Sequence, residues 1–140
     1  MPIGRAATRR KGQDITLVSY AKTVNTCLAA AETLATHGVS AEVIDLRTLK
    51  PWDRDAVLRS VRKTGRLIVV HEASGVCGMA AEVASVVASE AFDALKAPVR
   101  RLTGADAPAP ASFMLEQAGL PQPEGIVAQC LELFALEALA

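Results

Sequence analysis

Charge excess, paired cysteines and long apolar runs are all lacking in this chain of 140 residues. Its 15 basic and 15 acidic residues cancel, whereas nucleic-acid binding requires a clustered basic excess. The single basic run, 9–11, is expected to be a solvated loop. No apolar stretch approaches the roughly 20 residues that span a bilayer, and the first residues lack the apolar centre of a signal peptide. We therefore expect no nucleic-acid partner, no membrane partner and a cytoplasmic location.

The cysteines are too few and too scattered for a disulfide framework or a zinc site. Cys27, Cys77 and Cys130 form no pair at a metal or redox spacing. Cys27 and Cys130 fall on predicted helix faces, where a free thiol behaves as a small apolar group. Cys77 is expected in a loop without a base to activate it. Because the chain also lacks a nucleophile elbow, a paired-carboxylate spacing and a metal motif, no catalytic, cofactor-binding or metal-binding residue is predicted.

The pattern that is present alternates strands with helices. Runs of β-branched and apolar residues predict strands at 15–19, 39–46, 67–70 and 99–103. Between these strands, apolar residues recur at helical spacing and predict helices. Asp53 is expected to be an N-cap, and Gly38 and Gly65 are expected to be helix ends. An extended, ordered loop is expected over 104–122, and a last helix from about 124. Such crossovers predict an α/β fold, a three-layer αβα sandwich with four or five mostly parallel strands.

Polar residues follow three of the predicted strands, at the sheet edge where parallel sheets bind ligands. His71 and Glu72 follow the third strand. A histidine titrates near neutrality, but satisfaction by local hydrogen bonds is the favoured interpretation over tuning by Glu72. Arg47 follows the second strand. It is expected either to bind a carboxylate or phosphate, or to pair with Asp45 or Asp53.

Two glycine-bearing segments, 75–78 and 104–106, lie at the same edge. Backbone amides at a helix start attract anions, and 75–78 precedes a predicted helix. The chain nevertheless lacks the dinucleotide fingerprint and the lysine and hydroxyl of a phosphate loop. A tight turn is therefore the favoured interpretation of 75–78.

Five sequence segments carry a family resemblance. The most specific is AEVIDLRTLKPWD over 41–53; PIGRA and GQDITLVSYA precede it, and SVRKTGRLIVVHEA, GMAAEVASVVASEAFDALKAPVRRLTGADAPAP and LEQAGLPQPEGIV follow it. In this order they resemble the C-terminal domain of the β-subunit of thiamine-dependent 2-oxo acid dehydrogenases, a transketolase C-terminal-like domain. The resemblance implies that residues 1–14 are a lead-in from a missing pyrimidine-binding domain and that 15–140 form the domain itself.

The resemblance implies an oxidoreductase that decarboxylates a 2-oxo acid and transfers the acyl group to a lipoyl arm. Thiamine diphosphate and magnesium belong to the full enzyme and none is expected here, because the metal-binding Gly-Asp-Gly motif is absent and 104–106 does not match it. The isolated domain is expected to be inactive. Its implied role is structural, with the α-subunit, the pyrimidine-binding domain and a second β-subunit as neighbours. The subunit-binding domain of the acyltransferase core is a further implied partner.

Three residues are implied as candidates for a substrate channel or an interdomain contact. Arg47 matches the arginine of the DLRTL motif, and His71 and Glu72 come next. The HEA string resembles branched-chain enzymes, whereas EAFDALKAPVRRLTG resembles pyruvate or acetoin enzymes. Two alternatives stay open: a stand-alone anion or small-ligand module, and the equivalent domain of transketolase or deoxyxylulose phosphate synthase. A docking domain should also expose an apolar patch and form a two-fold dimer.

Overall fold

The computed structural model describes residues 2–138, which form a five-stranded sheet between two layers of helices. The strands are β1 (Ala7–Arg10), β2 (Ile15–Ser19), β3 (Ala41–Asp45), β4 (Leu67–Ser74) and β5 (Arg100–Gly104). The helices are α1 (Thr23–Thr36), α2 (Arg54–Thr64), α3 (Met79–Glu90), α4 (Phe113–Ala118) and α5 (Pro123–Ala138), and a 3-10 turn occupies Phe92–Ala94. The predicted α/β sandwich with a mostly parallel sheet is confirmed.

The strand order is β1-β3-β2-β4-β5. Strand β2 is parallel to β3 and β4, and β5 is parallel to β4, whereas β1 runs antiparallel to β3. The predicted loop at 9–11 is wrong for Arg9 and Arg10, which lie in β1. An edge strand needs only one partner and keeps its polar side chains in solvent, so it carries no apolar signal. The domain boundary predicted between residues 14 and 15 stays a prediction. Strand β1 lies before that boundary, in the segment that was predicted to be only a lead-in.

The two faces of the sheet pack against different helices because side chains alternate along each strand. On β4, Ile68 and Val70 join the core beneath α1 and α5, while Leu67 and Val69 join the core beneath α2 and α3. Continuing the alternation places His71 on the α2–α3 side. The apolar character of β4 on both faces fits a strand covered on both sides.

The predicted helix ends of α2 are confirmed. The Asp53 carboxylate accepts a hydrogen bond from the Ala56 backbone N–H at 3.1 Å, and Gly65 follows the last turn. A second oxygen of Asp53 accepts from the Ala6 N–H at 3.0 Å. One side chain therefore holds both the start of α2 and the approach to β1.

Two boundaries differ from the sequence prediction. Strand β4 continues to Ser74 instead of ending at Val70, because its pairing with β5 extends through His71 to Ser74 across an irregularity. His71 and Glu72 are therefore inside the strand. The predicted loop 104–122 also contains α4. Its prolines at 108 and 110 lie before the helix and the one at 121 lies after it, so 113–118 is free to form a turn and a half.

Candidate functional site

The candidate site lies between β2 and β4, where successive strands begin to be added on the opposite side of the sheet. The connection after β2 crosses over the α1 face, while the connection after β4 crosses over the α3 face. The gap between the carboxyl ends of β2 and β4 is therefore a topological switch point, the usual ligand position in open parallel sheets. Tyr20 and His71 occupy this gap, with ring centroids 5.8 Å apart and planes at 29°.

His71 is fully buried, and neither ring nitrogen has a hydrogen-bond partner among the described residues. The local hydrogen bonds expected to satisfy His71 do not form at either ring nitrogen within residues 2–138, although the Ala73 backbone is a polar neighbour of the ring. Burial lowers the pKa of His71; the Ala73 backbone acts in the opposite direction, and the nearby Arg101 charge lowers it further. A charged ring without a partner is costly in an apolar site, so the neutral imidazole is favoured.

Gly78, the N-cap of α3, lies directly over this ring. A Cβ at position 78 would lie 2.4 Å from the Ser74 carbonyl oxygen and 2.8 Å from His71 Cε1. Only glycine fits, so the usual side-chain cap is missing here. The preceding turn carries the exposed Cys77 at φ 54°. This geometry agrees with the tight turn expected over 75–78.

Glu72 points away from His71 and is exposed at the rim of a groove of about 360 Å³. The groove is lined mainly by the 105–110 loop and α4, and Glu116 contributes a second carboxylate. Gly104 permits close approach here, because a Cβ would lie 1.9 Å from the Glu72 carbonyl oxygen. The desolvation of Tyr20, and secondarily the Glu72 charge, raise the pKa of the Tyr20 phenol. Tyr20 is therefore a neighbour common to both: its ring stacks on His71, and its phenol senses the charge of Glu72.

Arg47 is exposed and holds a left-handed backbone conformation at φ 61°. Its backbone N–H donates to Asp45 at 3.0 Å, but the Asp45 carboxylate pairs with Arg9 at 3.4 Å. Asp53 is engaged in capping α2. Among residues 2–138 no ion pair includes Arg47, so the expected pairing with Asp45 or Asp53 is wrong. Non-glycine residues in this conformation are strained and concentrate at functional sites.

The remaining chemistry is sparse in the part of the chain that the structure describes. It contains no cluster of three or more metal-ligating side chains and no helix long and apolar enough to cross a membrane. Cys27 and Cys130 are buried, which raises the pKa of each thiol to about 12. These thiols behave as core residues, as expected.

Tyr20 and Arg101 were not singled out from the sequence. Tyr20 directly follows β2, and its place beside His71 depends on β2 pairing with β4, a strand 48 residues further along. Strand order was the missing information. The consecutive apolar residues at 113–115 were a visible signal, but the surrounding prolines favoured a loop.

The chain matches the family described as the transketolase C-terminal domain over residues 4–126. The chain belongs to this family. It is 45% identical over 139 residues to the acetoin:2,6-dichlorophenolindophenol oxidoreductase subunit beta of Bacillus subtilis, covering 99% of this chain and 41% of that protein. It is 48% identical over 127 residues to the pyruvate dehydrogenase E1 component subunit beta-1, mitochondrial, of Arabidopsis thaliana, covering 91% and 35%.

Solved transketolase structures share the fold of this chain. A solved structure described as a split gene transketolase, inactive beta4 tetramer, superposes with a TM-score of 0.82 at 29% identity, covering 98% of this chain and 43% of that chain. Pichia stipitis transketolase shares the fold at 18% identity and a TM-score of 0.56. This chain spans less than half the length of these curated β-subunit relatives.

Proposed function

We propose that this chain is the C-terminal domain of the β-subunit of a thiamine-dependent 2-oxo acid dehydrogenase. The observation that carries the proposal is the continuous match, at 45% identity over 139 residues, to a β-subunit named for acetoin oxidoreduction. Matches above 40% to pyruvate dehydrogenase β-subunits support the same assignment. The substrate type, pyruvate, branched-chain or acetoin, is left open in this proposal: relatives of the acetoin and pyruvate types match at 42% to 48% identity, so identity does not separate those two.

The proposed role of the domain is to support and connect other parts of the enzyme. Thiamine diphosphate and magnesium would be held by other domains, and the chemistry would be the cofactor's. The partners are the α-subunit, the pyrimidine-binding domain, a second β-subunit and the subunit-binding domain of the acyltransferase core. The cytoplasm is the proposed compartment, and the three free thiols among the described residues suit its reducing conditions.

Arg47 and Glu72 are the proposed contacts to a neighbouring domain or the substrate channel. Both are exposed at the carboxyl edge of the sheet, and Arg47, on a strained backbone, has no ion-pair partner among residues 2–138. Such a group binds a carboxylate or phosphate well because it offers two parallel N–H donors. His71 is fully buried, so its proposed part is to support the 75–78 turn, whose Gly78 lies over the ring.

The α4 surface supports a docking role. Phe113, Met114 and Leu115 are consecutive and between 63% and 75% exposed. Three large apolar side chains exposed on one short helix support an interaction surface there. The carboxylates of Glu72 and Glu116 border the adjoining groove.

Calorimetric titration tests the division of labour. The chain should show no saturable heat with thiamine diphosphate and magnesium, and should bind the subunit-binding domain of a pyruvate-type acyltransferase. An Arg47→Ala variant should keep the wild-type melting temperature, because the Arg47 side chain is exposed and its proposed role is a contact outside this domain. Saturable cofactor binding by the chain alone would contradict the proposal, because it would place a complete cofactor site within this domain.

A further inference from the structure

The sheet ends at β5, which pairs with β4 alone among residues 2–138. The main-chain N–H and C=O groups on its outer edge have no strand partner there, and such an edge can accept one more strand. Residues 100–103 are half-buried or exposed and keep a regular register with β4, so this edge is both accessible and regular. The other edge strand, β1, is interrupted by an irregularity between Thr8 and Arg10, which makes it a poorer partner for an added strand.

A groove flanks the β5 edge on each face of the sheet. The register with β4 places Arg100 and Arg101 on opposite faces. On the Arg101 face, a groove of about 500 Å³ lies between the segment 98–101 and α3, whose wall consists of the short side chains at 81, 84, 85 and 88. On the Arg100 face, a groove of about 270 Å³ lies beside the last turns of α5. The free edge therefore has a recess on both sides of the sheet.

An additional strand would lie about 4.8 Å from β5, and its side chains would point alternately to the two faces of the sheet. Successive side chains would therefore enter the two grooves in turn. In recognition of this kind, main-chain hydrogen bonds supply affinity, and the grooves for alternate side chains supply specificity. The short side chains of α3 leave room for branched apolar residues on that face.

The Arg100 guanidinium defines the chemistry needed on the α5 face. Its Nε atom is buried without a hydrogen-bond partner in the described part of the chain, and none of the ion pairs within residues 2–138 includes Arg100. Glu132 borders the same groove but is not within ion-pair distance of Arg100. A buried guanidinium N–H without a partner is costly, and a carboxylate is its strongest partner. A fitting strand therefore carries acidic side chains toward this face.

The charges on β5 argue against a second copy of this chain as the occupant. Antiparallel pairing of two β5 edges would bring Arg100 and Arg101 of one copy against the same two residues of the other. Like charges directly opposite each other on neighbouring strands are destabilising. A basic edge of this kind discourages self-association, so the occupant that fits is an acidic strand from a different protein.

We propose that β5 accepts an extended, acidic segment of a partner protein as an additional strand of the sheet. Apolar side chains of that segment enter the α3 groove, and carboxylates at alternate positions reach Arg100. This inference goes beyond the proposed function, since the β-subunit assignment does not require a strand at this edge. Failure of strand binding would leave that assignment intact, because the assignment depends on the match to the relatives.

Fluorescence anisotropy of the full chain with a labelled peptide tests this inference. The probe is a capped heptapeptide that alternates glutamate and valine, so that one face is acidic and the other is apolar. It should bind saturably at low salt, and the matching lysine–valine peptide should bind at least about tenfold more weakly. Equal binding of the two peptides, or no saturable binding at millimolar concentration, would overturn the proposal.

N-methylation of the peptide separates strand addition from simple charge attraction. Every second N–H of a strand points to the same side, so methylating all the valine amides, or all the glutamate amides, removes the hydrogen bonds toward β5 in only one of the two peptides. One methylated peptide should lose affinity roughly tenfold or more, and the other should bind nearly as well as the parent peptide. Equal affinities of the two methylated peptides would contradict an added strand.

Charge reversal locates the edge. Arg100→Glu should weaken binding of the glutamate–valine peptide roughly tenfold and strengthen binding of the lysine–valine peptide. Arg59→Glu is the matched control, since Arg59 is exposed on α2 beside β1, at the other end of the sheet, and it should change neither affinity. Circular dichroism checks that both variants fold, and the methylated peptides test the unaltered chain. Equal losses in the two variants would contradict β5 as the binding edge.

Discussion

The buried, unpaired His71 should make the stability of the fold depend on pH between about 5 and 7. Its pKa is lowered in the fold, chiefly by burial, and lies near 6.5 in the unfolded chain. The stability associated with the neutral ring is therefore fully present above about pH 6.5. It is lost as the pH falls toward the lowered folded pKa, because the unfolded chain takes up a proton that the fold excludes.

The size of this effect follows from proton linkage. One group that binds a proton only in the unfolded state lowers the free energy of unfolding by at most about 1.4 kcal/mol for each pH unit. The groups around the ring, Tyr20, Gly78 and Arg101, offer no carboxylate that would stabilise the charged form. Glu72 is next in sequence but lies on the opposite, exposed side of β4.

Urea unfolding at pH 5, 6 and 7 measures the effect directly. His71→Phe keeps the ring against Tyr20 but cannot titrate, so the wild type should lose more stability than this variant on acidification. His37→Gln removes the exposed histidine at the end of α1 and should keep the wild-type dependence. Parallel pH curves for wild type and His71→Phe would refute the buried neutral histidine.

Three further outcomes are expected. In chemical denaturation, Gly78→Ala should destabilise the fold by about 1–3 kcal/mol, because the new methyl group overlaps the Ser74 carbonyl oxygen. The control Gly125→Ala lies in α5, where the nearest contact of the new methyl group is at 3.6 Å. It should stabilise the fold by roughly 0.5–1 kcal/mol. Asp53→Ala should cost about 1–2 kcal/mol, since α2 loses its cap; an unchanged denaturation midpoint would argue against the cap. A thiol reagent should label Cys77 alone in the native chain at pH 8 and all three cysteines in denaturant, because the other two are buried; fast native labelling of more than one thiol would contradict the core packing.

The elements built from local signals were predicted well from the sequence. The apolar runs of β2 and β4, the cap at Asp53 and the helix end at Gly65 each depend on residues close together in the chain. Strand β1 was missed because its pairing with β3 joins Ala7 to Asp45, and its own residues carry no alternation of apolar and polar side chains.

The candidate site was predicted in position but not in its contacts. Arg47, His71 and Glu72 do lie at the carboxyl edge of the sheet. The burial of His71 depends on Gly78 and Tyr20, which come from two other segments of the chain. Arg47 has no ion-pair partner among residues 2–138, because the Asp45 carboxylate pairs instead with Arg9 across β1 and β3. Such contacts follow from strand order and packing, which local patterns do not encode.

Replacement of a domain tests the proposed β-subunit role most directly. This chain would replace the matching C-terminal segment of the Bacillus subtilis acetoin:2,6-dichlorophenolindophenol oxidoreductase subunit beta, and the chimera would be combined with that enzyme's α-subunit. Reduction of the dye that depends on acetoin is then measured, with the truncated β-subunit as the control. The proposed role predicts an assembled, active chimera and an inactive truncation. A folded chimera that fails to assemble with the α-subunit would contradict it.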